Sequence, residues 1–341
     1  MSGDHARGGP RGHGHGHGGL ATRADAAGRR HLLGALALIV ALMAGEVAVG
    51  LVAHSLALIT DAAHMLTDAV AIGLALFAMR LAAKPPEGGY TYGRRRAEIL
   101  SAQGNGVLLL GLACFFVFEA VRRLAAPPEV SGPLVFATAL AGIVVNLAAT
   151  VLVGRADRAS LNIEGAFQHI LNDLYAFIAT AVAGLVVWTS GFARADAIAS
   201  LIVAALMVKA GYGLVRDAWR IIMEAAPQGI DPAEVGERLA AQPCVVEVHD
   251  LHVWEVTSGY VAASAHVLVE PGGDCHAVRK NLGEVLRAEY AITHATLEVD
   301  HAADDAASDA ADHCADAHGP SHRVPGDAEP HVHLGEPHCG G

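Results

Sequence analysis

The sequence predicts a membrane all-α domain of six transmembrane helices, followed by a small C-terminal α+β domain. Three observations carry this. The chain of 341 residues has only 17% charged side chains and a positive mean hydropathy. Its apolar residues fall into six long runs, near 32–53, 56–79, 98–121, 133–154, 165–190 and 195–215; a helix crosses a hydrocarbon core in about 20 residues. Beyond residue 227 the pattern changes to short alternating stretches bounded by turn signals.

Residues 1–30 are rich in Gly, His and Arg, with the run GHGHGHGG, and cannot bury a core, so they are expected to be disordered. Residues 31–222 hold the six spans. In lipid each backbone group must be satisfied within its own segment, which makes the runs helices. No small-residue cleavage site follows the first run, so it is expected to remain as a span. Glu46, Asn105 and Asn146 are isolated polar residues within spans, and helix packing or water contact accounts for them. Arg29, Arg30, Arg80, Lys84, Arg94–Arg96, Arg155, Arg158, Arg216 and Arg220 flank the spans on one side, against Arg122, Arg123 and Arg194 on the other. The positive-inside rule therefore puts both termini in the cytoplasm, and an even number of spans agrees with that.

The turn signal PQG at 227–229 opens the second domain, residues 228–300. DPAEVGERLAAQ reads as a short helix with Pro in its first turn. VVEVHDLHVWEVT and YVAASAHVLVE read as strands joined at Ser258-Gly259. DCHAVRKNLGEVLRAEY has helical periodicity and HATLEVD reads as a last strand, giving the order αββαβ. Residues 301–341 are Ala-, Asp-, His-, Gly- and Pro-rich and are expected to form a disordered acidic tail. The net charge of −12 is concentrated there: nine carboxylates from Asp300 onward face a single basic residue, Arg323, which argues against nucleic-acid binding. Five cysteines without regular spacing, mostly on the cytoplasmic side, predict no structural disulfide.

Chemistry enters through a repeat. HMLTD at 64–68 and HILND at 169–173 lie in separate apolar runs and share the longer pattern H-x-L-x-D-x-x-A. Residues i and i+4 share a helix face, so His64 and Asp68 project together from span 2, and His169 and Asp173 from span 5. Ionisable groups at membrane depth are costly and face a cavity or a partner. Joined, the two faces offer two imidazoles and two carboxylates, a set suited to tetrahedral Zn²⁺, whose charge offsets both carboxylates. The bland alternative is a pair of interhelical hydrogen bonds. Asp61, one turn before His64, is either an entrance carboxylate or proton relay, or a cap on an irregular helix start.

With HSLALITDAAHMLTD, YTYGRRRAEIL, AFQHILNDL and HDLHVWEVTSG, the chain resembles the cation diffusion facilitator (CDF) family of zinc/proton antiporters over roughly residues 32–300. The resemblance implies a six-helix membrane domain, a cytoplasmic ferredoxin-like domain, a homodimer, and export of divalent metal driven by protons. It places the transport site on His64, Asp68, His169 and Asp173. His-Asp pairs in both helices resemble the zinc group; imidazole suits Zn²⁺, Cd²⁺ or Co²⁺ better than Mn²⁺. The family often has a second zinc site in the cytoplasmic domain, and by position its ligands would be His249, His266, His276 and Asp300, with a regulatory role. Arg96 and Glu224 occupy the positions of a family charge pair. The span 2–3 loop lacks the histidine that a further family site uses. His13, His15, His17 and the tail histidines 301, 313, 318, 322, 331, 333 and 338 are expected to capture metal loosely. A membrane zinc sensor or a passive channel could use the same four ligands. An intramembrane metalloenzyme would need an open coordination position and a base, and no H-E-x-x-H is present.

Overall fold

The computed structural model describes residues 18–52, 56–126, 132–156, 158, 160–192, 194–302 and 319–323. Six long helices come first: α1 (Gly18–Val52), α2 (Leu56–Ala82), α3 (Ala97–Ala125), α4 (Gly132–Gly154), α5 (Leu161–Ser190) and α6 (Ala195–Ile222). Five of them contain stretches long and apolar enough to cross a membrane among the described residues; the sixth, α2, carries Asp61, Asp68 and Arg80. The order agrees with the six spans expected. The N-terminal boundary does not: α1 begins at Gly18, because ATRADAAGRR is a run of good helix formers continuous with the apolar span. Residues 1–17, with His13, His15 and His17, lie outside the described residues.

Lipid-facing surface is recognisable from large apolar residues left exposed, among them Phe77, Phe118, Val144, Trp188 and Ile202. Inside, Leu32, Ile39, Met65, Ile72, Ala149, Val153, Ile163 and Ile170 join α1, α2, α4 and α5 in one cluster. Leu109, Ala113, Val203, Met207 and Leu214 join α3 to α6, with Ala176 and Ala179 of α5 packed against them. Helix α5 thus belongs to both halves. Where α3 crosses α6, a Cβ on Gly106 would stand 3.0 Å from the Gly211 carbonyl, and one on Gly211 would stand 2.9 Å from the Gly106 carbonyl. Two glycines facing each other let the backbones meet, as small residues do in membrane bundles.

The C-terminal domain follows the expected αββαβ order: α7 (Pro232–Ala240), β1 (Val245–Thr257), β2 (Tyr260–Val269), α8 (Cys275–Tyr290) and β3 (His294–His301). Asp231 caps α7 by accepting from the Ala233 N–H, with Pro232 in the first turn; Asp274 caps α8 by accepting from His276 and Ala277. Gly259, at φ 71°, makes the tight turn of the hairpin. Strand order is β1-β2-β3, antiparallel then parallel, the parallel step bridged by α8. Val235, Leu239, Val248, Val267, Leu282 and Leu286 fill the space between helices and sheet.

A charge pair ties the ends of α3 and α6 together, and two hydrogen bonds fix the C-terminal domain under them. Arg96 donates to Glu224 at 2.9 Å, the charge pair expected at these positions; both ends are exposed, so its energetic share is small. The Thr257 hydroxyl donates to the Arg95 carbonyl at 3.3 Å, and Ser258 Oγ accepts the Leu161 N–H at 3.1 Å. Leu161 opens α5, so the hairpin tip satisfies one of the amides that the helix start leaves without an internal partner. Arg95 also stacks over the Tyr260 ring.

Two expectations need correcting. Cys244, just before β1, is disulfide-bonded, where the reducing-compartment argument expects free thiols. The second concerns the described residues of the stretch 301–341, which take part in the fold. His301 ends β3 and contacts the Gly273 carbonyl, and Gly319–Arg323 lies against β1. Short backbone pairing leaves no compositional trace, which is why the tail reads as featureless. Residues 303–318 and 324–341, with the remaining tail histidines, lie outside the described residues.

Candidate metal centre

The two site helices share a buried cluster with α1 and α4. Asp68 projects from α2; His169 and Asp173 project from α5, four residues apart and so one turn apart on one face. His169 is completely buried, and its Nε2 lies 2.8 Å from Asp68 Oδ1 and 3.9 Å from Asp173 Oδ2. One ligand atom from each of the three falls within 4.8 Å of the others. His64 lies on α2 one turn before Asp68, and its side chain is outside the described residues.

The chemistry of this trio is that of a cation seat. Two carboxylates converge on one imidazole, and like charges so close need a positive charge between them. Asp173 Oδ2 and His169 Nδ1 are buried without a hydrogen-bond partner among the described residues. Buried polar atoms are nearly always paired, and an exception asks for a missing proton, water or ion.

One positioning residue has no counterpart in the sequence reasoning. Asn162, fully buried on α5, donates from Nδ2 to the Ala75 carbonyl of α2 at 2.9 Å. It stands two turns before His169, and Ala75 stands two turns after Asp68, so the bond lies about 10 Å from the site along both helices. It sets the register of α2 against α5. The signal available was an amide within an apolar run, in step with His169. We expect Asn162→Ala to lower metal flux roughly three- to tenfold, the size of one interhelical hydrogen bond in a membrane, with all ligands intact. Flux into vesicles, normalised to protein content, checks this; an unchanged rate would show the bond to be incidental.

The C-terminal set is only partly assembled. His249 and His266 face each other across β1 and β2, ring centroids 5.6 Å apart. His266 Nε2 lies 3.8 Å from Asp250 Oδ2 and 3.6 Å from Glu298 Oε2. His276 sits exposed at the start of α8 beside Cys275, and Asp300 is exposed on β3, paired in register with Leu268. Among the described residues the four are not gathered to metal-bridging distance. The β1 irregularity between His249 and His252, with Asp250 at φ 51°, re-aims the strand there and brings Asp250 beside His266, which strand alternation alone does not reveal.

Comparison with known proteins agrees with this architecture. Residues 32–223 match the family described as the cation efflux transmembrane domain, and residues 227–302 match the cation efflux protein cytoplasmic domain. The metal cation efflux system protein CzcD of Cupriavidus metallidurans is 33% identical over 277 residues, covering 80% of this chain and 87% of that protein. The zinc transporter ZitB of Escherichia coli is 33% identical over 274 residues, with the same coverages. The cadmium, cobalt and zinc/H(+)-K(+) antiporter of Bacillus subtilis is 32% identical over 286 residues, covering 82% of this chain and 91% of its own. A multi-pass helical bundle, a fused αββαβ domain and an intramembrane carboxylate–imidazole cluster thus occur together in a chain that belongs to the cation diffusion facilitator, or cation efflux, family.

Proposed function

We propose that the chain exports divalent metal ions, Zn²⁺ foremost with Cd²⁺ and Co²⁺ as alternatives, from the cytoplasm in exchange for protons. The observation that carries this is His169, buried between Asp68 of one helix and Asp173 of its own. His64 is the fourth ligand of a tetrahedral His2Asp2 set, from the matching position one turn before Asp68. Metal binding requires a neutral imidazole and ionised carboxylates, so loading the ion expels protons and protonation expels the ion. Imidazole titrates near neutral pH, which lets a modest proton gradient drive the exchange. With all four positions filled by protein, no water is left to activate, so the site carries and does not catalyse.

The chain acts in this reading as a homodimer in the cytoplasmic membrane, with both termini and the αββαβ domain in the cytoplasm. The basic residues beside the cytoplasmic helix ends support that orientation. His249 and His266 are the core of a regulatory ion site, to which His276 and Asp300 would have to move.

Purified protein in vesicles with a metal-sensitive dye inside tests the exchange. An imposed pH gradient, acidic within, should speed zinc entry severalfold, and a protonophore should cancel the gain. Zinc entry indifferent to the gradient would reject antiport and leave a passive channel.

A further inference from the structure

The outer edge of β1 is paired at Val248. Val248 donates its N–H to the His322 carbonyl at 3.0 Å and accepts the His322 N–H at 2.8 Å, a complete antiparallel backbone pair. The His322 ring is buried against α7, at Gly236, where a Cβ would overlap it. Next along the tail, Arg323 pairs with Glu247, a carboxylate wholly buried on β1. A buried carboxylate is costly without a cation beside it. Arg323 is the single basic side chain from Asp300 to the C-terminus, and it stands at that carboxylate. Backbone, ring and guanidinium each find a fitted partner within two residues.

We propose that the β1 edge and the adjoining face of α7 form a docking groove for an extended His-Arg segment, and that His322–Arg323 of the same chain is its occupant. This is recognition by strand addition: main-chain bonds give attachment, while a seat for the ring and a buried counter-charge give specificity. The docked segment closes an edge that would otherwise offer unpaired backbone to other strands. Gly236 is the discriminating residue, because any side chain there takes the ring's place. Docking within one chain is within reach. The outer edge of β1 lies about 10 Å across the sheet from β3, whereas a connection as long as 303–318 can span up to roughly 50 Å. The groove does not depend on the transport reading.

Amide hydrogen exchange on the full-length protein in detergent tests this, with a thiol reductant present so that no covalent tie through Cys244 contributes. The Val248 amide should exchange slowly in the wild type and about tenfold or more faster in Arg323→Ala, in Gly236→Ala and in a chain ended after residue 318. Amides of β2 and α8 should stay unchanged, which separates undocking from unfolding. A synthetic peptide spanning 319–324 should restore protection to the shortened chain but not to Gly236→Ala. Equal exchange in wild type and shortened chain overturns the proposal. Protection of the shortened chain by added full-length protein would mean that tails dock between copies, and overturns the same-chain assignment.

Discussion

Asp173→Ala should abolish zinc transport while leaving the protein folded. The substitution removes one of two carboxylates that converge on His169 and leaves the imidazole with Asp68 alone. Changing only the supports of a metal ligand typically costs ten- to a hundredfold in affinity, so losing one of the proposed ligands itself should cut flux by more than about a hundredfold. Bacteria lacking their own zinc exporters should be protected by the wild type and not by the variant. Stability should move the other way. A buried carboxylate is an electrostatic cost in the unloaded protein, and removing it should leave the melting temperature unchanged or raised. Asp68→Ala should behave alike, and the double variant should be hardly worse than either, because the groups act as one unit. Loss of transport accompanied by loss of fold would place Asp173 among packing residues.

The second large effect lies away from the ion. Gly211→Leu should prevent α3 and α6 from closing, since even a methyl group there meets the Gly106 carbonyl at 2.9 Å. Backbone cannot step aside as a side-chain tip can. Gly211→Ala should cost about 1–3 kcal/mol, and leucine more, to the point of poor accumulation in the membrane. Gly213, two residues on, is the control: nothing stands within 4 Å of a Cβ there. Gly213→Ala should be neutral or slightly stabilising, as alanine favours helix. Thermal unfolding in detergent separates the two, and equal melting temperatures for both alanine variants would count against a close crossing.

Much of this molecule was legible before any coordinates. The six helices follow from run length, and the αββαβ order follows from alternation and from turn residues such as Ser258-Gly259. The His-x-x-x-Asp repeat pointed to α2 and α5 because helical spacing is a local property. What stayed hidden was set at long range. The bond from Asn162 to Ala75 joins residues 87 apart, and no periodicity announces which carbonyl an amide will find. The C-terminal ligand set depends on strand register and on the irregularity at Asp250, neither of which strand alternation fixes. Arg323 sits in a stretch whose composition speaks of solvation, yet the match that matters is between one guanidinium and one carboxylate in another element.

The hydroxyl of Ser258, resting on the first amide of α5, has a mechanical consequence. Helix α5 brings His169 and Asp173 to the site, and its foot is held by the tip of a hairpin that belongs to the lower domain. A rigid helix transmits a push at its base along its whole length. A swing of the β1–β2 hairpin would therefore be felt as tilt at His169 and Asp173, further along the same helix, with the lower domain as the handle of a lever.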